Sequence, residues 1–175
     1  MNYHELKNNN KGFSLVELIV MVLILAIVAA TAVMSLSAML RASTTRAAKE
    51  LSSVLDKARI MSMTQVDGSL ALHLYVDDSG QYCADIRPYS ADSGVSGDEA
   101  DPVVLSKGSV SMTAWPEGAA AGQAVDETGV DIVFSKSSGA CAENRAGYRY
   151  EKIVISGAKT ATVYLVKNTG RNYIE

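Results

Sequence analysis

Residues 11–40 read KGFSLVELIVMVLILAIVAATAVMSLSAML, and this stretch decides how the chain is organised. Between Glu17 and Arg41 lie 23 residues without a charge, mostly Leu, Ile, Val, Ala and Met. A helix of about 20 such residues crosses a hydrocarbon layer, which argues against a purely cytosolic soluble enzyme. From 13 to 66 there is neither proline nor glycine, so nothing interrupts a single helix. Those 54 residues would extend about 80 Å at 1.5 Å per residue.

Working outward, the helix changes character along its length. Residues 18–34 are apolar on all sides, as a membrane or bundle-core segment requires. After Arg41, residues Ala47, Leu51, Val54, Leu55, Ala58 and Met61 fall on one stripe at spacings of three and four. Arg46, Lys49, Glu50, Asp56 and Lys57 lie mainly elsewhere, so this half packs on a soluble partner. On the other side, residues 1–12 (MNYHELKNNNKG) are polar and offer no core. They read as a leader.

Asp67-Gly68 closes the helix, and the period then becomes two. Leu70, Leu72, Leu74 and Val76 alternate with Ala71, His73 and Tyr75, the pattern of a half-buried strand. Further strands are expected at 82–87, 102–105, 110–115 and 130–134, with loops at 88–101 and 118–128. Residues 148–155 and 160–167 should pair across Ser156-Gly157-Ala158-Lys159, and 168–171 should end the sheet. The fold class is α+β: one long N-terminal helix whose second half covers a C-terminal antiparallel sheet. Four segments follow: a leader at 1–12, a membrane-spanning or bundle-core helix at 13–40, an amphipathic helix at 41–66, and a β-rich domain at 67–175.

Charge is segregated along the 175 residues. The net charge is +3 over 1–66, −9 over 67–129 and +3 over 130–175, giving −3 in all. The acidic middle opposes attraction of nucleic acid to the molecule as a whole, while leaving room for a basic patch in the last third. Two cysteines, Cys83 and Cys141, follow the apolar run. Outside the cytoplasm they could form one disulfide, worth about 4 kcal/mol for a loop of this length in the chain-entropy model. In a reducing compartment they would be two thiols.

Lys11-Gly12-Phe13-Ser14-Leu15-Val16-Glu17-Leu18 places a carboxylate near the start of an apolar helix. Such a carboxylate costs a few kcal/mol in a membrane unless it sits at the interface or meets a cation, although a helix N-terminus favours it. This segment resembles the processing site of type IV prepilins and pseudopilins. The resemblance implies cleavage by prepilin peptidase between Gly12 and Phe13, N-methylation of Phe13, and a role for Glu17 in filament assembly by attracting the N-terminal amine of a neighbouring subunit. It implies a single-pass protein of the cytoplasmic membrane with its globular domain outside, later built into a pilus or pseudopilus. The implied partners are other pilin or pseudopilin subunits, the peptidase, the membrane assembly platform and, before assembly, membrane lipid. The family's helix often carries a glycine and a proline. Here Ala26 and Met34 stand at those places, so the helix should run unbroken.

A secretory signal peptide is the competing reading. Lys7 and Lys11 would be its charged region and Ala30-Thr31-Ala32 its cleavage site. Against it, the apolar run continues to Leu40 and Glu17 lies inside it. A secreted or anchored domain unrelated to pili would follow. Positive charge flanks both ends of the run, so orientation rests on the resemblance.

Residues 130–134, a loop with Ser138-Gly139, a hairpin and Asn168-Thr169-Gly170-Arg171 are similar to the pseudopilin H and FimT group of minor pilins. That group often ends in Gly-Arg-x-Arg, a motif that binds DNA in some competence pilins. Here Tyr173 replaces the second arginine. A DNA reading would use Lys159, Lys167 and Arg171, with Tyr173 as a stacking surface. The plainer reading makes Gly170 a turn residue and pairs Arg171 with Glu175 or Asp131. Asp92, Asp98, Glu99 and Asp101 form an oxygen-rich loop without the D-x-D-x-D-G spacing of a calcium site. His4 and His73 have no second ligand at metal spacing. No G-x-S-x-G, P-loop or C-x-x-C motif occurs, so neither catalysis nor a cofactor is expected.

Overall fold

The computed structural model describes residues 14–64, 69–97, 102–106 and 110–175, with the side chains of 32–41 outside that description. The chain divides into two units, Met1–Ala38 and Met39–Glu175. Helix α1 runs without interruption over Leu15–Thr64, as the absence of glycine and proline requires. The expected leader 1–12, including Gly12, and Phe13 lie outside the described residues, as do Asp67-Gly68 at the expected close of the helix.

In the first unit, every described side chain from 14 to 31 is exposed. Among the described residues no helix is long and apolar enough to cross a membrane. The described apolar stretch, Leu15 to Thr31, extends about 26 Å at 1.5 Å per residue, against a hydrocarbon layer of about 30 Å.

The second unit begins within α1. Its Thr44, Ala47, Ala48, Leu51, Val54, Leu55, Ala58 and Ser62 are buried, one stripe at helical spacing. Met61 does not belong to it: this side chain is exposed, and Ser62 takes the buried place. A hundred degrees of rotation per residue separates the two, and the stripe passes through 58 and 62 as an exact i, i+4 pair.

The strands that follow are β1 (Ser69–Val76), β2 (Tyr82–Ser90), β3 (Gly94–Val95), β4 (Val103–Ser106), β5 (Ser111–Pro116), β6 (Gln123–Ala124), β7 (Val130–Phe134), β8 (Cys141–Ala142), β9 (Tyr150–Ser156), β10 (Thr160–Leu165) and β11 (Asn172–Ile174). They build two sheets. The first has the order β3-β2-β1-β7-β8, with β4 also paired to β2; the second has the order β11-β10-β9-β5-β6. All pairings are antiparallel. The stripe of α1 shares one core with Leu72, Leu74, Ile132 and Phe134 of the first sheet and with Met112, Ile153, Ile155 and Val163 of the second. Each such aliphatic or aromatic side chain contributes about 1.5–3 kcal/mol by leaving water.

Several expectations need correction here. The expected single sheet is two. Residues 88–101 and 118–128 are not wholly loop, since β2 extends to Ser90 and the short strands β3 and β6 lie within them. Nor does 168–171 end the second sheet: the chain turns there, and β11 returns beside β10, Tyr173 opposite Tyr164. Two- and three-residue strands carry too few side chains to show a period.

Candidate assembly site

Ser14 precedes the first helical residue and Glu17 lies in the first turn of α1, the S-x-x-E spacing of a capping box. The helix dipole favours a carboxylate at this end. Glu17 is exposed, with Leu15 and Val16 before it and Leu18 to Leu25 after it also exposed. A large apolar surface around one carboxylate marks an interaction surface. Such a surface binds another apolar phase, whether lipid or a bundle of like helices, and in the latter the carboxylate requires a cation.

Residues 7–33 match the family model of the prokaryotic N-terminal methylation motif. This match supports a type IV pilin-like family. It supports a subunit that prepilin peptidase processes and that assembles with other pilins, anchored in a membrane before it joins a surface filament. Glu17 lies inside the matched segment, in the helix that the motif opens. Comparison with curated proteins and with solved structures gives no match.

The β-rich part of the chain places the remaining candidate residues. Cys83 and Cys141 form no disulfide. Cys83 on β2 faces Tyr75 of β1, whereas Cys141 on β8 faces Phe134 of β7, itself opposite Leu70. Three strand spacings and five residues along the strand separate the two columns, so the Cα atoms lie on the order of 20 Å apart; a disulfide needs under about 7 Å. They also lie on opposite faces. Cys141 is part of the main core, and burial pushes its thiol up to about 11. Cys83 shares the other face with His73 and Tyr75, and its Sγ approaches Asp77 Oδ2 at 3.9 Å.

The DNA candidates are not brought together. Lys159 lies at the β9–β10 turn and Lys167 beyond the far end of β10, more than about 20 Å away along the strand. Lys167 Nζ is held by Glu117 Oε1 at 2.7 Å, and Arg149 grips Oε2 of the same carboxylate at 2.5 Å. These two cations hold the Glu117 carboxyl below its ordinary value. Arg171 is exposed and pairs with neither Glu175 nor Asp131. Asp131 Oδ1 instead meets Nδ1 of His73 at 2.7 Å, and the Glu175 carboxyl raises the Tyr164 hydroxyl. Tyr173 stacks on Tyr164, with centroids 5.0 Å apart. Gly170 is a turn residue, buried at φ +61°.

Of the acidic loop, Asp92 is described and exposed, while Asp98, Glu99 and Asp101 lie outside the described residues, as does His4. Among the described residues no group of three His, Cys, Asp or Glu side chains is disposed to hold a metal ion. His73 is half-buried, directly opposite Asp85 on β2 and Asp131 on β7. This row was not legible in sequence, because its members are 12 and 58 residues apart and only strand pairing aligns them. Asp85 is buried, and its Oδ2 takes Arg87 at 2.6 Å.

Proposed function

We propose that the chain is a minor pilin or pseudopilin subunit of a type IV pilus or a type II secretion-like filament, acting at its tip or in its initiation. The observation that carries this reading is the coincidence of the methylation-motif match over 7–33 with an uninterrupted helix whose described apolar residues are all exposed around Glu17. Peptidase cleaves between Gly12 and Phe13, and the freed amine of Phe13 is methylated. The apolar helix is then anchored in the cytoplasmic membrane, with the β domain outside. On assembly it exchanges lipid for neighbouring helices, and Glu17 meets the Phe13 amine of another subunit, which neutralises both charges and fixes axial register. The partners are sibling subunits, the peptidase and the assembly platform. The role is assembly, not catalysis, and it uses no cofactor.

Intact-mass and N-terminal analysis of the protein from its own host tests this. A chain beginning at N-methylated Phe13 is the expected result. A chain beginning at Val33, after Ala30-Thr31-Ala32, removes the membrane helix and leaves a secreted β-rich domain instead. For DNA uptake the charge geometry gives little support, since Lys167 is already engaged by Glu117 and Lys159 lies at the other end of β10.

A further inference from the structure

A cleft of about 390 Å³ opens beside the start of β7, between the β6 strand and the 143–149 loop. This is within the size range of small-ligand sites. Its lining includes Gln123, Asp131, Asn144, Arg145, Tyr148 and Tyr150, of which the sequence singled out only Asp131, within 130–134.

The cleft is braced from behind. Tyr150 is 4 % exposed, and its hydroxyl donates to Gln123 Oε1 at 2.9 Å. That bond leaves the Gln123 amide hydrogens to donate elsewhere. The Asn144 side chain accepts from the backbone N–H groups of Ala146 and Tyr148 and donates to the carbonyl of Asp131, which fixes the loop. Gly129 and Ala146 lie on its margin.

What the lining leaves unused defines the ligand. Among the described residues the Arg145 guanidinium has no ion-pair partner. Asp131 gives one carboxylate oxygen to His73, and its other oxygen accepts no hydrogen bond among the described residues. Tyr148 is 47 % exposed and presents an aromatic ring. The cleft therefore combines a cation, an acceptor for hydroxyl groups, an amide donor and a ring. A carboxylate takes the guanidinium in a bidentate pair; neighbouring hydroxyls donate to Asp131 and accept from Gln123. The apolar C–H face of a pyranose covers the ring, burying area that neither hydroxyls nor carboxylate need.

We propose that this cleft binds a saccharide bearing a carboxylate, of the uronic-acid type. A simple anion would leave Asp131 and Tyr148 without purpose, and a neutral sugar would leave Arg145 unpaired. The site lies on the globular domain and does not depend on filament assembly.

The test is calorimetric titration of the full-length protein in detergent micelles with a short oligogalacturonate, beside the same oligosaccharide with its carboxyls methyl-esterified. Saturable binding of the acid, at least ten-fold tighter than of the ester, is expected. Arg145→Gln should weaken binding of the acid about ten-fold or more and leave the ester unchanged, and Tyr148→Ala should weaken both. Both positions are exposed, and a circular dichroism spectrum and melting temperature like those of the parent show that the variants fold. No binding at millimolar oligosaccharide overturns the proposal, as does equal binding of acid and ester or an unaltered Arg145→Gln. Displacement of the oligosaccharide by equimolar acetate would show a bare anion site, and displacement by equimolar oligoglutamate an acidic peptide site; either overturns it too. None of these outcomes bears on where the N-terminus is cleaved.

Discussion

Gly170 backs directly onto the carbonyl of Gly139, so closely that a β-carbon at 170 would occupy the place of that oxygen. Both residues have positive φ, +61° and +66°. Their contact locks the turn after β10 against the loop after β7, and Arg59 of α1 adds a hydrogen bond to the Thr169 carbonyl at 2.6 Å. Gly170→Ala should therefore lower stability by about 2–4 kcal/mol, combining backbone strain with overpacking. Gly147→Ala, with positive φ but open space around it, should cost only about 1 kcal/mol. Equilibrium urea unfolding of the two variants measures the difference.

The buried Asp85 carboxylate leans on a single guanidinium, and its Oδ1 has no hydrogen-bond partner. Removing the cation alone leaves that charge uncompensated. Arg87→Ala should cost about 3–5 kcal/mol, and adding Asp85→Ala should recover part of the loss. A double-mutant cycle by chemical unfolding reads the coupling; strict additivity would disprove the dependence.

Glu117 joins Lys167 and Arg149 across two loops. Its folded carboxyl is lowered below the ordinary glutamate value, so the pair stabilises the fold above about pH 4.3 and loses this contribution as pH falls through the lowered value. Glu117→Gln should melt below the parent at pH 7 in low salt, and the gap should close toward pH 3. A gap that persists at pH 3 would place the effect in packing instead.

No cross-link should form between Cys83 and Cys141, even in an oxidising compartment. Alkylation of the unfolded, unreduced protein should add two groups by mass. In the folded protein Cys141 should react slowly, since burial both hides the thiol and pushes it up to about 11. Mass showing no added group would mean a fold in which those strands are rearranged.

Under the proposed function Glu17→Ala should still be cleaved before Phe13, because the proposed cut at Gly12 does not involve the Glu17 carboxylate, yet should fail to enter filaments in the presence of parent subunits. Immunoblotting of sheared filaments against the membrane fraction distinguishes the two steps. Normal incorporation would remove the amine-pairing account.

The long helix was legible because its signals are local: no breaker from 13 to 66, an apolar run, then a stripe at helical spacing. The main strands were legible for the same reason, since the alternation at 70–76 needs no partner to be recognised. The short strands were not, and neither was the split into two sheets, because strand partners are chosen by contacts between distant segments.

Sequence alone determined the helix, the acidic middle and the segment at 7–33 that matches the methylation motif, each a pattern contained in consecutive residues. Tertiary structure alone decided that Cys83 and Cys141 lie on opposite faces, that Lys167 is bound by Glu117, that His73 stands between Asp85 and Asp131, and that Gln123, Asp131 and Arg145 line one cleft. Those relationships depend on strand order and register, and a shift of one residue would turn strand side chains such as Cys83, His73, Asp85 and Asp131 to the other face.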